Sequence, residues 1–161
     1  MHRKTTKVTI RCFCLLCGAA LTLAACSGTA RRVELPSGPH LMVVEGIGYE
    51  PPERPAGQAS LSAKLEGTAA ARRILWDQLL EREVNASGTD WVETGGVELA
   101  WLVANDPLFA SRLRALLGDL QVYTSRPEPQ DRSVSVWMVL DRREVLALTE
   151  RSMERLRGNG A

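Results

Sequence analysis

Cysteine and histidine are the residues of this chain best suited to chemistry, and their positions leave little chemistry to its main body. Cys12, Cys14 and Cys17 crowd an apolar stretch, Cys26 stands just past its end, and no cysteine follows. His2 lies near the start, and His40 is the one other histidine. If the chain is cut before Cys26, the remainder has no second thiol for a disulfide, a metal or a nucleophile. A Ser-His-Asp triad would have to use His40. A zinc site of two or three histidines cannot be assembled. A solvated histidine at a strand start is the simpler reading of His40. Glu45 and Glu50, flanking a Gly-containing strand end, are the carboxylates that could do acid–base work, although acids beside a turn are more often merely solvated. The expectation is no catalytic, cofactor-binding or metal-binding residue.

The surroundings of Cys26 point to modification rather than catalysis. Residues 1–11 carry Arg3, Lys4, Lys7 and Arg11 and no acid, and Cys12 to Leu23 are uncharged. That run is about a dozen residues, whereas a spanning helix needs about 20, so it reads as a signal-peptide core. The segment Leu23-Ala24-Ala25-Cys26 resembles the bacterial lipobox. The resemblance implies a signal peptide over 1–25, diacylglycerol on the Cys26 thiol, cleavage before it and acylation of the new amine. Each buried methylene then contributes about 0.8 kcal/mol, and two or more chains, palmitate-like in length, hold a protein on a membrane. The competing reading is a plain secretory signal or an uncut anchor with a chance cysteine. Ser27, where an Asp would signal retention, implies the outer membrane by analogy with Gram-negative sorting. The expected location is lipid-anchored there, with the folded part facing the periplasm.

Cleavage would remove four of the twenty basic residues and none of the nineteen acids, leaving a formal charge of −3. Such a chain has no electrostatic footprint for nucleic acid. Residues 26–39 are small, polar and Pro/Gly-containing, a lipidated tether. Residues 40–157 have the length for one domain, and 158–161 read as a disordered tail.

Within that domain the alternation HLMVVEGIGY predicts a strand over 40–49, with Leu41, Val43, Glu45, Ile47 and Tyr49 on one face and Met42, Val44, Gly46 and Gly48 on the other. The Gly-x-Gly lacks the third glycine of a dinucleotide fingerprint and suggests a bulge or a helix packed closely on the strand. Three prolines, Pro51, Pro52 and Pro55, enforce a loop. A stripe of Leu61, Leu65, Ala69, Arg72, Trp76, Leu80 and Val84 predicts a long core helix over about 60–84. Small residues in its middle would permit tight packing on the strand. Residues 85–96 read as a polar break, and 97–104 as helix in preference to strand. Asp106-Pro107 looks like an N-cap followed by Pro at N1, with a helix to about Leu117 and a stop at Gly118. Leu120–Ser125 and Ser133–Leu140 predict a hairpin around a turn at 127–131. Asp141 to Glu144 match a capping box that opens a last helix to about Leu156. The expected fold is α+β: an antiparallel sheet of about three strands, packed by one long helix and shorter helices. Tyr123, Trp137 and Val139 would share the sheet's other face and form a candidate partner surface, unless the last helix or segment 97–104 covers them.

Gly46-Ile47-Gly48-Tyr49, Gln58, the helix LEGTAAARRILWDQLLEREV and the later RALLGDLQVYTS with SVSVWMVL together resemble the Lpp-twenty lipoprotein family, and more narrowly its flagellar outer-membrane lipoprotein P branch. The resemblance spans roughly 41–141 plus the lipobox. It implies a non-enzymatic outer-membrane lipoprotein with a structural or assembly role in the cell envelope, around the flagellar basal body and motility in some members. Its partners would be the membrane through Cys26 and either its own copies or an envelope or flagellar protein. Two alternatives stand beside it: a periplasmic carboxylate-dependent hydrolase or ligand-binding lipoprotein, and a peptidoglycan-binding envelope module.

Overall fold

The computed structural model describes residues 33–158, and from Leu35 onward the chain folds as one compact unit. The lipobox and Cys26 therefore lie outside the described residues, as do the last three residues assigned to the tail.

Alternation of apolar and open positions gives β1 (Leu41–Tyr49), whose even-numbered residues are buried and whose odd-numbered ones face outward. After the proline-rich loop, α1 (Ala56–Leu80) begins directly behind Pro55. Three two-residue strands then make a small sheet: β2 (Glu83–Val84), β3 (Trp91–Val92) and β4 (Val97–Glu98), in the order β3-β2-β4. Helices α2 (Leu99–Asn105) and α3 (Pro107–Asp119) follow, then β5 (Val122–Glu128), β6 (Ser133–Asp141) and α4 (Arg142–Gly158). The main sheet is antiparallel, ordered β1-β6-β5, with Leu41 opposite Asp141 and Tyr49 opposite Ser133. The α+β expectation holds, with two three-stranded sheets in place of one.

The closest packing joins β1 and α1. A Cβ on Gly48 would lie 1.9 Å from the Ala63 carbonyl oxygen, and one on Gly46 would lie 2.1 Å from that of Gly67. Backbone thus rests against backbone, which only glycine on the strand and small residues on the helix allow. The buried face of α1 is accordingly Ala59, Ala63, Gly67, Ala71, Leu75 and Leu79. This corrects the expected stripe. Leu61 and Leu65 are 60% and 63% exposed. The farther half of that stripe meets α3 instead: Arg114 stacks over Trp76 at 5.5 Å, and Arg72 donates to the carbonyls of Gly118 and Leu120. The helix also sits about four residues earlier than expected, and Val84 leaves it for β2, where it is fully buried. Segment 97–104 divides between β4 and α2, and 85–96 contains β3.

The first strand of the hairpin, β5, also shifts. It runs through Pro127 to Glu128, with an irregularity at Tyr123 between the pairs Val122–Met138 and Thr124–Trp137. Pro127 is tolerated because β5 is an edge. The β1–β6 hydrogen-bonded pairs are the even-numbered ones, as Arg142 N to His40 O (2.7 Å) and Glu50 N to Arg132 O (2.8 Å) at the two ends indicate. Val134, opposite Pro127, therefore bonds toward β1, and the missing proline N–H faces the open edge. Gly158 belongs to α4 rather than to a tail.

Asp106 ties the helices together. Its Oδ1 accepts from the amides of Leu108 (3.0 Å) and Phe109 (3.1 Å), capping α3 as expected, and Pro107 is at N1. Its Oδ2 accepts from Ser152 Oγ and from the Arg155 guanidinium, both on α4. Burial alone would raise its pKa. The hydrogen bonds from Ser152, Phe109 and Arg155 outweigh that and lower it from 3.8 to about 2. At the start of α4, Asp141 accepts from the Arg143 amide (3.0 Å) and from its guanidinium.

Candidate functional site

On the face of the main sheet turned away from the core, Glu45, Ile47 and Tyr49 of β1 are exposed. The alternation of β6 decides what that face shows. Val134, Val136, Met138 and Leu140 enter the core, and Ser133, Ser135, Trp137 and Val139 turn the other way. Ser133 and Ser135 are small, whereas their neighbours on either side are long. Ile47 and Tyr49 rise from β1, and Arg126 and Glu128 from β5. The difference in side-chain length cuts a shallow trough of about 580 Å³, floored by the two serines and closed at one end by Asp131 and at the other by Glu45.

The trough is acidic. Arg126 is committed to Glu128, with Nε and Nη2 both 2.5 Å from Oε1, and its guanidinium also lies 5.6 Å over the Trp137 ring. Glu45 and Asp131 have no ion-pair partner among the described residues. Ser133 and Ser135 are 5% and 4% exposed, and their hydroxyls have no hydrogen-bond partner among the described residues.

The expected partner surface is divided by this arrangement. Tyr123, at the β5 irregularity, is 53% exposed. Val139 is half-buried opposite Val43. Trp137 is only 6% exposed; Arg126 lies over its ring, and Glu45 and Thr124 are its cross-strand neighbours. The three do not form one open apolar patch.

The carboxylate pair fares no better as a catalytic device. Glu45 is on the outer face of β1, and Glu50 follows the strand's end five residues later, roughly 16 Å along at strand rise and with opposite parity. His40 is exposed in the turn before β1. No group of three or more metal-ligating side chains occurs among the described residues, and no described helix is long and apolar enough to cross a membrane. Sequence reasoning missed the trough because its residues come from β1, β5, β6 and a turn. The serines at alternate positions of a valine-rich strand were the visible signal. No family model, curated protein or solved structure matches this chain.

Proposed function

We propose that this chain is a lipid-anchored outer-membrane protein of a bacterial envelope that works by assembly rather than by catalysis, as its resemblance to the Lpp-twenty family implies. The observation that carries the reading is Leu23-Ala24-Ala25-Cys26 at the end of an uncharged run behind four basic residues. A diacylated cysteine fixes the protein to one leaflet and leaves the α+β domain free to meet other envelope proteins or its own copies. The scarcity of catalytic groups supports the same reading. Beyond Cys26 the sequence has no thiol and one histidine, and Glu45 and Glu50 stand five residues apart along the chain. The narrower association with the flagellum and motility rests on the resemblance alone.

The test is Cys26→Ser. The wild-type chain should incorporate a fatty-acid analogue and sediment with outer membranes. The variant should lose the label and appear in the soluble periplasmic fraction. A variant that still labels and still sediments refutes the lipid anchor.

A further inference from the structure

We propose that the trough on the outer face of the main sheet, where the unpartnered Ser133 and Ser135 hydroxyls lie between Tyr49 and the carboxylates of Glu45 and Asp131, binds an extended basic segment of a partner polypeptide. This goes beyond the membrane reading and stands whether or not Cys26 carries lipid.

Shape argues for a chain lying along the strands. The floor is one strand wide between two neighbours, so its walls stand about 10 Å apart, and Glu45 to Tyr49 span about 13 Å of β1. That space admits one extended chain of about four residues. It is shallow and open, unlike the enclosed cavity a small apolar ligand needs.

Charge argues for a basic occupant. Three carboxylates line the trough against one guanidinium, and that guanidinium is already paired with Glu128. Glu45 and Asp131 are left to attract cations. Ile47 and Tyr49, 45% and 60% exposed, offer an apolar wall for the aliphatic stem of a lysine or arginine, and the Tyr49 ring can face its charged head. The same sheet face already holds one such contact, Arg126 over Trp137.

The serines argue for a polar backbone. The two residues are almost wholly buried, and both line the trough floor. Both hydroxyls open onto the trough, two residues apart and thus about 7 Å along β6, the repeat at which an extended peptide presents its carbonyls and amides on one side.

The experiment uses the full chain in mild detergent and a fluorescent acetyl-(Lys-Ser)4-amide peptide, read by anisotropy at low salt. The peptide should bind saturably, and its acidic counterpart (Glu-Ser)4 should not. Glu45→Gln with Asp131→Asn should weaken binding at least tenfold, and raising the salt should weaken it several-fold. Ser135→Leu, which fills the floor, should also weaken binding. If that variant does not fold, the Gln/Asn variant decides alone, since it leaves the floor intact. Absence of binding, or binding that both variants leave unchanged, overturns the proposal. So does displacement of the peptide by spermidine at equal charge concentration, which would mark a site for any cation.

Discussion

Replacing Asp106 by Asn should remove one acid-sensitive contribution to stability. The carboxylate is 7% exposed, caps α3 through two amides, and receives Ser152 and Arg155 from α4. Its pKa falls from 3.8 to about 2, so folding favours the ionised form. A folded pKa below the unfolded one contributes stability that is fully present above the unfolded value and lost as pH falls through the folded value. The window is therefore pH 5 down to 2. The shift corresponds to about 2 kcal/mol, or roughly 8 °C in melting temperature for a domain of this size. Asn retains an oxygen for the cap but cannot pair with Arg155 as an anion. Thermal unfolding of both proteins between pH 7 and pH 2 should show the wild type more stable by about that amount at pH 7, with the two curves converging near pH 2. Asp141, whose carboxyl Arg143 also holds low, titrates in both proteins and cancels from the difference. A gap of constant size across the range would mean that packing or cap geometry, not charge, carries the effect of Asp106. Equal stability at pH 7 would mean that the Ser152 and Arg155 contacts contribute nothing.

The contact between β1 and α1 gives a sharp contrast between glycines. Gly48→Ala should cost about 3 kcal/mol or more, because the new methyl meets the Ala63 carbonyl and must part strand from helix. Gly57→Ala, with nothing within 4 Å, should gain about 0.5–1 kcal/mol from helix propensity. Urea unfolding measures both. The two faces of α1 separate in the same way: Leu61→Ser and Leu65→Ser should each stay within about 0.5 kcal/mol, whereas Leu75→Ala should cost about 2–5 kcal/mol. The reverse ranking would restore the expected leucine stripe as the core face.

Where a residue's role depends on its neighbours in sequence, the chain was legible. The alternation of β1 and β6 and the Asp106-Pro107 start of α3 appear as read, and α4 does start behind Asp141, which accepts from the Arg143 amide rather than closing a box with Glu144. The helix α1 was found but turned the wrong way. Hydropathy weights leucine over alanine, and here the strand offers glycines, so the closest fit selects Ala63, Gly67 and Ala71 and leaves Leu61 and Leu65 outside. The Gly-x-Gly had suggested close packing, and applying that to the helix would have picked the small face. Asp106 was legible as a cap, but its partners Ser152 and Arg155 lie 46 and 49 residues on, and no local pattern points to them.

The same inequality of side-chain size acts on both sides of the main sheet. On the inner side, small residues in β1 and α1 remove the gap between strand and helix, so the helix lies on the backbone and the sheet gains a covered face. On the outer side, small residues in β6 between longer ones in β1 and β5 leave a gap that no element of the described chain fills. A strand meant only for solvent has no need to bury two serines beneath its neighbours. Threonine or lysine at 133 and 135 would suit an exposed strand and would level the trough. Trp137, next in line on the same face, shows how the sheet treats a surface it does not leave open: Arg126 is laid over it. On one strand Arg126 lies over Trp137, whereas the short side chains of Ser133 and Ser135 leave between longer neighbours the trough that the proposed basic segment would fill.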